Sequence, residues 1–190
     1  MGKDRDLTVL KDKSLTKDIK NVKRGIRKYW EKEFIHERID QVKNPKHRVM
    51  MQTLWYTGMR VSELISIKKG DVDLDNYVLR IKWLKNRKYK ERVIPLHSHL
   101  RDILQFFIAD LNKQDKVFGM SRQRVYQLTK KCFGGSPHQM RHSFAVNWLR
   151  CDGDIVLLKR ILGHSHIKTT MEYLQIVPQD IGKELIKIKF

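Results

Sequence analysis

Apolar side chains recur along this chain at two different periods, and the switches between them mark where helices give way to strands. From Ser14 to Trp30, Ile19, Val22, Ile26 and Tyr29 stand three or four residues apart, which predicts a helix with a narrow apolar stripe and a basic opposite face. A second helix is expected over about 34–42. It stops before "NPKH", because Pro45 disfavours helical geometry at Asn44. "HRVMMQTLWY" turns Val49, Met50 and Leu54 to one side of a further helix, Thr57-Gly58 breaks it, and "RVSELISI" restarts with Val61, Leu64 and Ile65 inward. "DVDLDNYVLRIKWL" then reads as a strand, an Asp75-Asn76 turn and a second strand, and "ERVIPL" as a third, closed by Pro95. Beyond His97 the helical spacing returns in "LRDILQFFIADL", "SRQRVYQLTKKC", "PHQMRHSFAVNWLR", "DIVLLKRILG" and "KTTMEYLQ". The expected fold class is α+β, mainly helical with one small three-stranded antiparallel sheet. Three segments follow: a basic helical arm at 1–44, a compact domain at 45–176 and a tail at 177–190.

Composition adds a partner to this outline. The chain's 190 residues suit one core, and 41% hydrophobic residues allow it to fold as a soluble globule. Its 40 Lys and Arg against 21 Asp and Glu leave a formal charge of +19, which calls for a polyanion. The charge runs end to end instead of collecting on one amphipathic helix, so nucleic acid is favoured over a membrane surface. No apolar run approaches the roughly 18 residues needed to span a bilayer, and "MGKDRDLTVL" lacks a signal peptide's apolar core. A cytoplasmic protein is expected. Cys132 and Cys151, with no CxxC, suggest neither a disulfide framework nor a zinc site, and no metal or other cofactor is anticipated.

Taken singly, the chemically capable residues have plain explanations. Arg60 and Glu63 are spaced for a surface ion pair, and "HQMRH" matches no metal-ligand spacing. His164 follows a helix-ending glycine, His142 and His166 read as structural or surface groups, and Tyr173 reads as packing. Taken together, five of them form a set suited to attacking a phosphodiester without a metal. The pentacoordinate phosphorane formed in such an attack gathers negative charge, which Arg60 and Arg141 can meet with fixed, bidentate donors. Tyr173 supplies a nucleophilic phenol that must lose its proton, His138 can accept it, and His164 can donate a hydrogen bond to a phosphate oxygen. The departing 5′ oxygen needs a proton, for which a lysine of the strand pair is suited. For contact with DNA, Ser121 is set to cap a helix whose first turn carries Arg122, Gln123 and Arg124, with Val125 and Leu128 inward. Arginine and glutamine there are fitted to read base edges in the major groove, while Lys130 and Lys131 would meet phosphate.

The chain resembles the tyrosine recombinases, the family of phage and archaeal integrases and the Xer resolvases. "TGMRVSEL" is similar to the first arginine box, with Arg60 and Glu63 in place, and "HQMRHSFA" to the HxxR box. "LGHSHIKTTMEY" is similar to the LGH-to-tyrosine segment, and the spacing agrees: 26 residues from 138 to 164 and nine from 164 to 173. The likeness covers roughly residues 45–175. It implies catalytic roles for Arg60, Glu63, His138, Arg141, His164 and Tyr173, and site-specific breakage and rejoining of DNA through a 3′-phosphotyrosyl link, without ATP or metal. It also implies assembly on DNA as a dimer or tetramer, with the last helix docked on a neighbour. Three departures stand out. "KWLKNRKYKERVIPL" implies a longer hairpin than usual, with Lys85 favoured as the general acid over Lys88. His166 replaces a small polar residue. The helical domain that usually precedes the catalytic domain is reduced to about 44 residues, so the basic helix either takes its place or is what a truncated chain retains. A nicking-closing topoisomerase is the alternative within enzymes, and an inactive DNA-binding accessory protein is the alternative of another class.

Overall fold

The computed structural model describes residues 29–85 and 88–177; the basic helix expected over 14–30 and the tail expected from 177 lie almost wholly outside the described residues. Helix α1 spans Lys32–Asp40, α2 Pro45–Thr57 and α3 Val61–Leu64. A 3-10 turn at Lys69–Asp71 leads into β1 (Val72–Asp73), β2 (Val78–Lys85) and β3 (Lys88–Pro95). Then come α4 (Ser98–Phe107), α5 (Arg122–Phe133), α6 (Pro137–Arg150), α7 (Ile155–Leu162) and α8 (Lys168–Met171), followed by a 3-10 turn at Glu172–Gln175. The mainly helical body with one three-stranded antiparallel sheet, in the order β1-β2-β3, is the expected fold class.

Two helices form the axis of the core. Helix α2 buries Val49, Met50, Met51, Leu54 and Trp55, and α6 buries Met140, Phe144, Ala145, Val146 and Leu149. Both begin the same way: Asn44 accepts a hydrogen bond from the His47 amide ahead of Pro45, and Ser136 accepts one from the Gln139 amide ahead of Pro137. Helix α3, only four residues long, has no stability of its own. Complete burial of Leu64, worth about 1.5–3 kcal/mol, and the contacts of Glu63 hold it.

The packed body starts ahead of the boundary expected at residue 45. Ile35 and Ile39 of α1 are buried, the Trp30 ring lies 5.3 Å from that of Phe133, and the Trp30 amide donates to Ser143 Oγ at 2.8 Å. The hairpin also differs from expectation. Its ladder runs from Val78↔Pro95 to Lys85↔Lys88, so the strands pair until only residues 86 and 87 are left between them. A long loop would have set Lys88 apart at its tip, whereas the register puts it directly across from Lys85. Along β2, Leu79 and Ile81 alternate inward, with Ile94 opposite Leu79.

Candidate active site

The site is assembled where α2, α6 and α7 bring their ends together. Gly58, at φ 58°, ends α2 in the left-handed conformation, and its carbonyl accepts from Arg141 Nη1 at 2.8 Å. A Cβ there would stand 2.3 Å from the Phe144 ring, so the position needs glycine for space as well as for φ. At the other side, Gly163 (φ 65°) ends α7 and leaves two carbonyls without helical partners. Arginines take both: Arg141 Nη2 donates to Leu162 O at 2.7 Å and Arg92 Nε to Ile161 O at 2.9 Å. Arg141 is thereby clamped between two helix ends, 3% exposed. Burial, then the nearby charge of Arg60, brings its pKa down to about 10, which still leaves it a cation at neutral pH.

Glu63 organises the other guanidiniums. Its carboxylate accepts from the Arg60 amide (2.7 Å), from Arg60 Nη1 (3.0 Å), and from Arg92 through two parallel bonds of 2.7 and 2.8 Å. Burial alone would raise its pKa, but hydrogen bonds and charge from Arg92, then from Arg60, outweigh burial and hold the carboxyl below its ordinary value. The expected Arg60–Glu63 pair exists, though it is no surface pair: the Glu63 and Arg92 side chains are each 9% exposed, while Arg60 remains 45% exposed and reaches the cleft. Arg92 is the residue that the sequence reading missed. Its signal lay in "ERVIPL", read only as a strand, where an arginine facing inward among aliphatics demands an anion.

Arg60, His138 and Arg141 line one cleft of about 200 Å³ together with Met59, Ser62, Tyr126 and Arg122. Arg122 was expected to read bases; its guanidinium lies 6.0 Å from the Tyr126 ring centre and shares this cleft. The rest of α5 follows the expected pattern. Ser121 caps it by accepting from the Arg124 amide, Gln123, Arg124, Lys130 and Lys131 are exposed, and Val125 and Leu128 are buried.

His164 sits between Arg141 and Thr170. Its Nε2 lies 3.1 Å from Arg141 Nη2 and its Nδ1 2.9 Å from Thr170 Oγ1. A guanidinium can only donate, so Nε2 accepts and the ring proton belongs on Nδ1, pointing to the threonine. Burial, then the charges of Arg141, Arg60, Arg92 and His138, bring the His164 pKa down to about 4, so the ring is neutral at pH 7. In this state its Nε2 is engaged by Arg141 and does not offer the donor expected for phosphate.

Tyr173 brings a second difference. It stands in the 3-10 turn beyond α8, not on a continuous helix, and is 7% exposed. Its hydroxyl is 2.9 Å from Nδ1 of His142, a partner that the sequence reading did not name. His142, set aside from sequence as a structural or surface group, is buried, and its ring centre is 4.3 Å from that of His138 one turn earlier on α6. The signal was the spacing in "HQMRH", which puts both imidazoles on one helical face. His166 is exposed. Lys85 and Lys88 are placed here by register alone. Among the described residues no group of three or more His, Cys, Asp or Glu could hold a metal ion, and no helix is long and apolar enough to cross a membrane.

Comparison with known proteins bears on the fold and the family. The solved XerA recombinase has a TM-score of 0.67 and 22% identity, covering 87% of this chain and 65% of that one. The catalytic domain of bacteriophage HP1 integrase has a TM-score of 0.64 and 24% identity, over 84% of this chain and 94% of that one. Both likenesses establish the fold. Among curated sequences, the tyrosine recombinase XerA of Saccharolobus solfataricus is 29% identical over 158 residues, 80% of this chain and 54% of the relative. A tyrosine recombinase of Pseudothermotoga lettingae is 29% identical over 92% of this chain and 66% of its own length. The chain thus spans between half and two thirds of the length of these relatives. Residues 31–179 match the phage integrase family, and the chain belongs to that family.

Proposed function

We propose that the protein is a site-specific DNA recombinase that exchanges strands through a 3′-phosphotyrosyl intermediate, acting on double-stranded DNA as a dimer or tetramer in the cytoplasm of a prokaryotic cell. The observation that carries this reading is the convergence of Arg60, His138 and Arg141 on one small cleft, with the buried Tyr173 hydroxyl 2.9 Å from His142, one helical turn after His138. Two guanidiniums, one clamped by backbone carbonyls and one by Glu63, are preorganised for the charge that develops on a phosphorane. Tyr173 attacks phosphorus, and the 5′ oxygen leaves with a proton from Lys85 at the end of β2. Because one phosphodiester is exchanged for one phosphotyrosine, the reaction needs no energy source and is reversible.

On DNA, Arg122, Gln123 and Arg124 at the start of α5 face the major groove near the scissile phosphate, and Lys130 and Lys131 meet the backbone farther along. Arg122→Ala should then change the ranking of target sequences in binding assays, whereas Lys130→Ala should weaken all of them about equally. Equal losses for both would remove α5 from sequence readout.

The function is tested with two labelled duplexes carrying the target site and with a nicked version of that site. Covalent trapping on the nicked DNA together with recombinant product is the expected result. Relaxation of supercoiled DNA without recombinants would mean a nicking-closing enzyme. Tight binding with no adduct would mean an accessory module.

A further inference from the structure

We infer that His142, not His138, takes the proton from the Tyr173 hydroxyl. The inference rests on Tyr173 being the nucleophile and adds the identity of its base. A candidate base must lie within hydrogen-bond reach of the proton it removes, roughly 2.6–3.2 Å, and His142 Nδ1 is 2.9 Å from the phenol oxygen. Both partners are buried, so bulk water does not compete for that proton. His142 also follows Arg141 directly on α6, a helix anchored at both ends of the site by the Arg141 guanidinium. His138 is exposed, lines the cleft with Arg60 and Arg141 and touches His142 edge to face, which suits it to contact substrate oxygen instead.

The step balances as follows. The Tyr173 O–H bond breaks, the proton moves to the lone pair on Nδ1, and the oxygen's electron pair forms the new bond to phosphorus. The bond from phosphorus to the 5′ oxygen breaks, and that oxygen leaves with a proton from the general acid. In rejoining, a 5′-hydroxyl gives its proton back to the acid and attacks phosphorus, while the departing phenolate recovers its proton from His142. The charged and titratable groups around His142 include His138 and Arg141 on its own helix, Tyr173 against its Nδ1, and His164, whose ring lies parallel to Tyr173 with centres 6.5 Å apart. Arg141 beside the phenol favours phenolate, so the histidine needs to remove the proton only partly as the bond to phosphorus forms.

The test is the rate of covalent adduct formation on a nicked duplex, from pH 6 to 9, for the full chain with His142→Ala, His142→Asn, His138→Ala and Tyr173→Phe. Asparagine can keep a hydrogen bond to the phenol but cannot take its proton. Both His142 variants should be at least about a hundredfold slower at pH 7. Their rates should climb roughly tenfold per pH unit as the phenol, with an ordinary pKa of about 10, begins to ionise unaided. Duplex affinity should be unchanged. The inference is overturned if His142→Asn keeps the unmutated rate, if the loss is not recovered at high pH, or if His138→Ala alone shows the alkaline recovery. If His142→Ala fails to bind duplex, His142→Asn decides by the same criteria. An adduct formed by Tyr173→Phe would instead overturn the assignment of the nucleophile.

Discussion

At the residue scale, the site depends on buried charges that are each matched. Arg92 is not among the residues that line the cleft with Arg60, His138 and Arg141, yet it supplies two of the four hydrogen bonds to the Glu63 carboxylate, and Glu63 in turn orients Arg60. Removing one member of a buried ion pair strands the other and costs about 3–5 kcal/mol, more than removing both. Arg92→Ala should therefore lower the urea midpoint markedly and slow adduct formation. Arg92→Leu combined with Glu63→Leu should regain stability without regaining activity, since Arg60 has still lost its guide. Equal denaturation midpoints for Arg92→Ala and the unmutated protein would contradict this account. The residues proposed to meet the phosphate could be named from sequence because the chemistry calls for those types at that spacing. Arg92 and His142 were not, because each acts through a partner far away in sequence: 29 residues separate Arg92 from Glu63 and 31 separate His142 from Tyr173. Periodicity places a side chain on a face but does not say what the face meets.

At the element scale, two glycine-ended helices hold the cleft. The C-termini of α2 and α7 present carbonyls to arginines that would otherwise be mobile, so each helix end serves as a rigid clamp for a cation. Gly58→Ala is a sharp test of this arrangement. An alanine at φ 58° is strained by about 1–2 kcal/mol, and overpacking against Phe144 adds roughly 1–3 kcal/mol. The variant should unfold at lower urea concentration and lose cleavage more than duplex binding, because the Gly58 carbonyl can no longer hold Arg141. A variant with unchanged stability would mean that the turn accommodates a side chain freely. The helices and the Ser121 cap could be read from sequence because the signals are local; Asn44 and Ser136 cap their helices in the same way, though the reading used Asn44 only as a boundary and passed over Ser136. The hairpin was misjudged because many polar residues between two apolar runs look like a loop, while backbone pairing continues through them to Lys85 and Lys88. Likewise, α8 was expected to carry Tyr173 onward as a helix. It gives way to a 3-10 turn, a distinction that spacing over eight residues does not resolve.

At the scale of the whole molecule, burial, with the surrounding positive charge second to it, sets the response to pH. An unfolded histidine takes up a proton near pH 6.5, whereas folded His164 waits until about pH 4. Between those values the unfolded chain binds more protons, so stability falls as pH falls through that window. His47, held below its ordinary value by burial and by Arg124 and Lys46, acts in the same direction. Glu63, held below the usual 4.5, contributes stability above that pH that is lost as pH falls further. Urea midpoints should decline from pH 6.5 to pH 5, and His164→Asn should flatten part of that decline. A midpoint that rises on acidification would contradict it. The fold class was legible because helix periods dominate and one short stretch alternates. The start of the packed body was not: α1 reads as separate until its Ile35 and Ile39 are seen in the common core.

The central claim is that this body makes a covalent bond to DNA through one tyrosine. The most direct measurement is to trap the complex on a nicked duplex, digest both components and identify the joined peptide and nucleotide by mass spectrometry. The account predicts a single modified residue, Tyr173, joined to a 3′-phosphoryl nucleotide. A link to any other side chain, a 5′-phosphoryl linkage, or tight binding with no covalent product would contradict it.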